Sequence, residues 1–191
     1  LIYISTTGVY GNCNGALVEE THVVNPVSAR AKRRLDAEQV LRAWARRTGA
    51  RLGILRVPGI YAENRLPTER LKQGTPALVQ EQDVFTNHIH ADDLARIIAA
   101  ALFRALPCRV YHATDDSCMK MGDYFDVVAD TFRLPRPPRL PREEIETSVS
   151  PALLSFMVES RRISNRRMKS EWRLRLHYPQ VSDALRSMTQ K

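Results

Sequence analysis

The sequence predicts an α/β fold, an incomplete doubly wound parallel sheet joined to a small α-rich lobe towards its C-terminal side. Three observations predict it. LIYIS at residues 1–5 and ARLGILRV at 50–57 are short apolar, β-branched runs of the kind that form buried strands. Between them NPVSARAKRRLDAEQVLRAWARR, residues 25–47, has the length and spacing of a crossover helix. Further on, HADDLARIIAAALFRAL followed by CRVYHAT repeats the helix–strand order. Strand, helix and strand with short links form a right-handed βαβ unit. Ligands of such sheets sit beyond the carboxyl ends of the strands. Those ends fall at Thr6 and at Pro58-Gly59.

The elements follow in order. TTGVYGNCNG after the first strand is rich in Thr, Gly and Asn and reads as a loop. In the helix of residues 25–47, Pro26 suits the first turn, where its missing N–H costs nothing. Ala37, Val40, Leu41, Trp44 and Ala45 recur at helical spacing and predict the buried stripe. Gly49 ends the run as a C′ glycine does. Ser28 and Lys32 fall one turn apart on another face, so a helix pinned by its stripe presents Lys32 to a cleft. A short helical piece spans 68–72. In the helix of 90–106, Asp92 and Asp93 occupy the first turn, where the macrodipole favours carboxylates. MGDYFDVVADTF is helical by its Tyr124, Val127, Val128 and Thr131 face, with Met119, Met121, Phe125 and Phe132 as packing positions. Four prolines in residues 134–141 predict a stiff extended linker. A helix near 151–159, a basic stretch at 160–169 and a closing segment to Lys191 complete the chain.

Composition narrows the classes. The formal charge of +8 comes almost wholly from arginine, but the arginines are spread along the chain without interleaved aromatics, so nucleic acid is not the predicted partner. No apolar run approaches the ~20 residues that cross a bilayer, and no membrane partner is predicted. Cys13, Cys108 and Cys118 lack disulfide or metal spacing, which fits a reducing cytoplasm. His88-x-His90-x-Asp92 imitates a dinuclear metal motif, but the doublet runs into a helix whose first turn uses the carboxylates, and no metal is predicted. Asp115-Asp116 reads as a turn or cap. Arg161, Arg162, Arg166 and Arg167 read as a solvated basic face rather than a phosphate grip.

Three segments carry a resemblance. Ser5-Thr6-Thr7-Gly8-Val9-Tyr10-Gly11 resembles the S-[ST]-x-x-V-Y-G segment of extended short-chain dehydrogenases/reductases, the NAD-dependent epimerase/dehydratase group. Leu55-Arg56-Val57-Pro58-Gly59-Ile60-Tyr61 is similar to that group's L-R-x-x-x-[VI]-Y segment, and Asn87-His88-Ile89-His90-Ala91-Asp92-Asp93-Leu94-Ala95 to its [FY]-I-H-V-x-D-[LV]-A segment. They come in the family's order and in matching contexts, and SRRISNRRMKSEW near the end is similar to atypical members. The resemblance implies a Rossmann-type domain in residues 1–61 and 88–118 and a small substrate lobe in 62–87 and 119–191. It implies NAD or NADP as cofactor, a small-molecule substrate, and a homodimer through the helix of residues 26–47. Its chemistry uses a tyrosine as general acid/base, a lysine one turn later that lowers the tyrosine pKa and holds the ribose, and a hydroxyl on the neighbouring loop. By position Thr6 is that hydroxyl, Lys32 the lysine, and Pro58, Gly59 and Ile60 supply backbone to the nicotinamide.

The departures are equally specific. Ser28 stands where the tyrosine belongs, and a serine hydroxyl is far less acidic than a phenol with pKa ~10. Tyr10 and Tyr61 are the candidate substitutes. Gly59 replaces a frequent Asn and Thr86 a frequent Arg, positions that by resemblance contact a sugar nucleotide, so a diphosphate loses its bidentate donor. The Gly-rich phosphate turn is expected ahead of Leu1, so this chain alone is expected to bind dinucleotide poorly. The function expected is an NAD(P)-dependent epimerase, dehydratase or reductase; the alternative is a non-catalytic NAD(P)-binding or scaffolding protein.

Overall fold

In the computed structural model of the chain, which describes residues 1–189, β1 (Ile2–Thr6) gives way at once to a 3-10 turn (Thr7–Tyr10). Thr6 caps that turn, its Oγ1 accepting the Gly8 N–H at 3.1 Å. β2 (Leu17–Val18) precedes α1 (Ala29–Thr48). The helix begins beyond Pro26, because Ser28 is its N-cap and accepts the Ala31 N–H at 3.2 Å. A hydroxyl satisfies an orphan N–H there, which a proline ring cannot do. Most of the predicted stripe packs inward: Ala45 is buried and Ala37, Leu41 and Trp44 are half-buried, Leu41 and Trp44 against the same core as Ala45. Ala31 and Glu38 are buried as well, Leu35 is half-buried, and Val40 is 60% exposed. Glu38 turns inward to meet a buried arginine.

β3 (Gly53–Val57) pairs in parallel with β1, Ile2 opposite Gly53 through Thr6 opposite Val57. Gly53 is required at this crossing, since a Cβ would lie 2.8 Å from both Ala105 Cβ and Ile2 Cδ1. β4 (Gly59–Tyr61), α2 (Thr68–Lys72), β5 (Ala77–Leu78) and β6 (Phe85–Thr86) lead to β7 (His88–His90), which pairs in parallel with β4. α3 (Ala91–Arg104) then returns to β8 (Arg109–His112), completing a parallel sheet of order β1-β3-β8. The predicted βαβ unit and its parallel pairing are therefore present.

β9 (Met119–Lys120) and α4 (Met121–Phe132) open the second part. Met121, Tyr124, Phe125, Val128 and Ala129 form the buried face of α4, with Val127 and Thr131 only half-buried. The proline segment is no free linker. β10 (Arg139–Leu140) pairs with β5, and Ala77 N–H reaches Pro138 O at 2.9 Å, since proline keeps its acceptor although it lacks a donor. α5 (Arg142–Ser148), α6 (Pro151–Met157), β11 (Arg162–Ile163), α7 (Arg166–Trp172) and α8 (Val181–Thr189) follow. The predicted end of the lobe, residues 190 and 191, lies outside the described residues.

Leu55, Val57, Ile97 and Tyr111 centre a core on one face of the sheet; Leu71, Phe125, Val128, Ile145 and Leu185 centre another among the later helices. α7, assigned by sequence to the lobe, sends Met168 and Trp172 into the sheet-side core, where Trp172 stacks 4.3 Å from Tyr111.

Candidate functional site

Beneath the strand tips lies a buried polar chain that the motifs alone did not reveal. Arg56, on central β3, donates to Glu38 through Nε at 3.1 Å and Nη2 at 2.7 Å, a two-pronged contact. Ser5 Oγ donates to the same carboxylate at 2.5 Å. The remaining guanidinium prong, Nη1, reaches Tyr10 OH at 2.7 Å, and that hydroxyl lies 2.6 Å from His112 Nε2. Since Arg56 can only donate, Tyr10 donates onward, which makes His112 Nε2 an acceptor and leaves Nδ1–H to donate to Ser164 O at 2.8 Å. His112 is thereby neutral, and burial pushes its pKa down to about 3, against the opposing hydrogen bond to Ser164. Its 4.0 Å approach to Glu20 is accordingly not an ion pair; Glu20 instead accepts the His112 backbone N–H at 3.1 Å and faces Arg167 at 3.4 Å. The chain of bonds ties α1, β1, β3 and β8 together one residue below Thr6.

Above it, a cleft of about 550 Å³ opens at the C-terminal tips of β1 and β3. Thr6, Ser28, Pro58, Gly59 and Ile60 all line it, so five of the residues singled out from sequence share one cavity. Lys32 does not line it; its side chain is exposed one turn into α1. The two hydroxyls are committed in a particular sense. Thr6 Oγ1 accepts from Gly8 N–H and Ser28 Oγ from Ala31 N–H, so each has its proton left to donate.

Neither tyrosine offered as a substitute acid reaches the cleft. Tyr10 is 1% exposed and spent on Arg56 and His112, and burial raises its pKa to about 12. Tyr61 is 1% exposed, packed edge-on against His88 and His90, and burial raises its pKa too. The wall of the cleft contains residues that sequence reasoning undervalued. Asn87 braces one side, its Nδ2 donating to Arg161 O at 2.9 Å and its Oδ1 accepting from Ile163 N at 2.8 Å. Arg161 is no solvated cation: its side chain is 13% exposed, pairs with Glu159 at 2.7 Å and donates to Gly11 O at 2.7 Å. Arg162 and Arg167 are drawn instead to Gly15 O and Val110 O, so the basic stretch does not converge on one point. The only sequence signal for Asn87 was its place at the head of the third motif segment.

His88 and His90 form no metal centre with Asp92. His90 is the N-cap of α3, its Nδ1 accepting Asp92 N–H at 3.2 Å, and His88 stacks on Tyr124 at 4.1 Å. No group of three or more potential metal ligands occurs among the described residues. Asp115 accepts Ser117 N–H at 2.9 Å, as a turn residue does.

Residues 1–185 match the family model described as the RmlD substrate binding domain. No curated protein matches the chain. Among solved structures, a functionally unknown conserved protein from Silicibacter pomeroyi DSS is 32% identical with a TM-score of 0.86, the match covering 99% of this chain and 65% of that one. A dTDP-glucose 4,6-dehydratase from Streptomyces venezuelae, solved with NAD and TYD bound, is 19% identical with a TM-score of 0.77, covering 99% of this chain and 58% of that one. A UDP-glucose 4-epimerase from Thermotoga maritima, solved with UDP-glucose, is 17% identical with a TM-score of 0.78, covering 99% and 62%. The last two share the fold. The chain spans 58 to 65% of the length of these three proteins. The three motif segments, the parallel sheet with its cleft at the strand tips and the match along nearly the whole length agree, and the chain belongs to the RmlD substrate binding domain family, within the atypical short-chain dehydrogenases/reductases.

Proposed function

We propose that this protein is an NAD(P)-dependent epimerase, dehydratase or reductase acting on a small molecule with a hydroxyl or carbonyl group. The observation that carries the proposal is the meeting of Thr6, Ser28, Pro58, Gly59 and Ile60 in one cleft beyond two parallel strand tips. The backbone there supports a dinucleotide at a defined point. Gly59 N–H is spent on Asn87 O at 3.2 Å, and Pro58 has no N–H. In a parallel ladder alternate residues face opposite ways. With Gly59 and Tyr61 turned to β7, the Ile60 N–H and C=O face away from it and suit a nicotinamide carboxamide. NAD or NADP, when bound, supplies the carbon that gives or takes a hydride.

In this reading Thr6 donates its hydroxyl proton to the substrate oxygen and Ser28 does the same from the head of α1. Lys32 lies outside the residues that line the cleft; exposed and without a side-chain partner among the described residues, it is proposed to hold ribose hydroxyls of a dinucleotide that extends beyond the cleft. Residues 1–61 and 88–118, with α7 packed against their sheet, form the dinucleotide side, and 62–87 with the rest of 119–191 the substrate lobe. A homodimer through α1 belongs to the same proposal, supported by the 60% exposure of Val40 on that helix. So does a reducing compartment such as the cytoplasm, supported by three free cysteines.

One observation favours a second reading, a non-catalytic NAD(P)-binding protein. Among the described residues no tyrosine or histidine lines the cleft, and its carboxylate, Glu159, is tied to Arg161. Conversion of hydroxy and carbonyl compounds by the full-length protein, followed by product analysis together with nicotinamide absorbance, decides between them, because an epimerase or dehydratase returns its hydride and leaves no net absorbance change. Turnover supports the first reading. Dinucleotide binding without turnover supports the second. In either case Lys32→Ala is expected to weaken dinucleotide binding about tenfold, or ~1.4 kcal/mol; unchanged affinity removes Lys32 from the site.

A further inference from the structure

We infer that the cleft is built to seat a small anion, a carboxylate or a phosphate monoester, between Arg30 and Arg65. The inference rests on the proposed function only in assigning that anion to the substrate. Both arginines line the cleft and are exposed, and neither has a carboxylate partner among the described residues. The third arginine of the cleft, Arg161, is already neutralised by Glu159. Two unpaired guanidinium groups are thus what remains.

The position of Arg30 runs against the electrostatics of its own helix. The first turn of α1 contains no acidic residue, although the positive end of the macrodipole disfavours cations there. Lys32, Arg33 and Arg34 follow directly and deepen the positive potential. Arg30 is nonetheless held in place, its guanidinium 4.7 Å from the centre of the Phe156 ring. A fixed cation on a helix N-terminus, at the mouth of a cleft, focuses field on whatever enters.

An independent observation points the same way. Thr7 lines the cleft, is only 3% exposed, and its hydroxyl has no partner among the described residues. Its oxygen opens onto the cleft rather than into the sealed core, so it is free to bond whatever enters. Thr6 and Ser28 have lent their lone pairs to backbone N–H groups and have only protons to offer. The cleft is therefore rich in donors and cations and poor in acceptors. An uncharged polyol would satisfy the hydroxyls and leave both guanidiniums without a counter-charge; a cation would be repelled.

Calorimetric titration of the full-length protein with glycerol 3-phosphate, D-glycerate and uncharged glycerol tests this, each with and without saturating NADP+. One or both anions are expected to bind at least about tenfold more tightly than glycerol. The two anion arms tell phosphate from carboxylate preference. Arg30→Gln/Arg65→Gln changes two exposed positions, is expected to leave the circular dichroism spectrum unchanged, and is expected to remove that advantage without altering glycerol binding. Anions that bind no better than glycerol, or equally well to the double variant, overturn the inference. So does displacement of the anion by NADP+, which would make the arginines a dinucleotide phosphate site. Anion binding retained in a protein that transfers no hydride overturns the proposed function and leaves this inference standing.

Discussion

Glu38 and Arg56 face each other at 2% and 6% side-chain exposure, and two buried charges are tolerable only because every prong has a partner. Removing one member leaves the other charge buried and alone. Glu38→Gln keeps the shape but not the charge, and is expected to cost about 3–5 kcal/mol, read from the urea midpoint at neutral pH. Replacing both by methionine is expected to recover most of that loss, since burying two apolar chains of similar volume avoids the desolvation. Tyr10→Phe deletes the hydroxyl that accepts from Arg56 and donates to His112. It is expected to cost about 1–3 kcal/mol by the same measurement, because a buried acceptor and a buried donor lose their partner together. Arg56 and Tyr10 were legible as motif letters. Their role was not, because Glu38 and His112 lie far from them in sequence and only packing brings the four together.

α1 shows how an element can be found from sequence while the full make-up of its buried side is not. Helical spacing, a C′ glycine and flanking strands all pointed to a helix here, and Gly49 does end it in the left-handed region at φ 70°. The start differed, and Glu38 joins the buried side while Val40 faces out, since spacing of apolar residues cannot see that a glutamate is the side chain the core requires. Ser28 is the other lesson of this helix. A residue read as the replacement for a catalytic group is first of all the cap of a 20-residue helix. Ser28→Ala is expected to lower stability by about 1 kcal/mol, while Ser28→Asp, which still accepts the N–H and suits the dipole, retains it. Gly49→Ala meets no atom within 4 Å, so its expected cost of about 1 kcal/mol is backbone strain alone. Thermal unfolding of the three variants checks both statements.

At the scale of the whole molecule, buried titratable groups set opposing pH dependences. Burial pushes His88 down to about 4 and His112 to about 3, from 6.5. Between those values the unfolded chain takes up protons that the folded one refuses. Their contribution is therefore full above 6.5 and lost as the pH falls through this window. Asp115 runs the other way. Burial raises it from 3.8 to about 7, and its Oδ2 has no partner among the described residues. Its folded form holds a proton that the unfolded form has released, so that contribution is full below 3.8 and lost as the pH rises through 7. Urea midpoints are expected to fall on acidification below about pH 6, and Asp115→Asn is expected to gain most stability near pH 8, less near pH 5 and little below about pH 4. Arginine tells a related story. Arg34, Arg42, Arg51, Arg104 and Arg167 donate to the carbonyls of Ile4, Cys108, Ala105, Trp172 and Val110, so much of the basic composition is spent stapling strand ends and loops. The amino-acid order by itself determined the βαβ unit, the place of the cleft at Thr6 and Pro58-Gly59, and the family, because these depend on local periodicity and on short contiguous segments. That Glu38 joins the buried side of α1, which arginines remain unpaired, and that no tyrosine reaches the cleft were decided only by the tertiary structure. Those properties belong to pairs of residues distant in the chain, whose partners exist only once the sheet has closed over the helix.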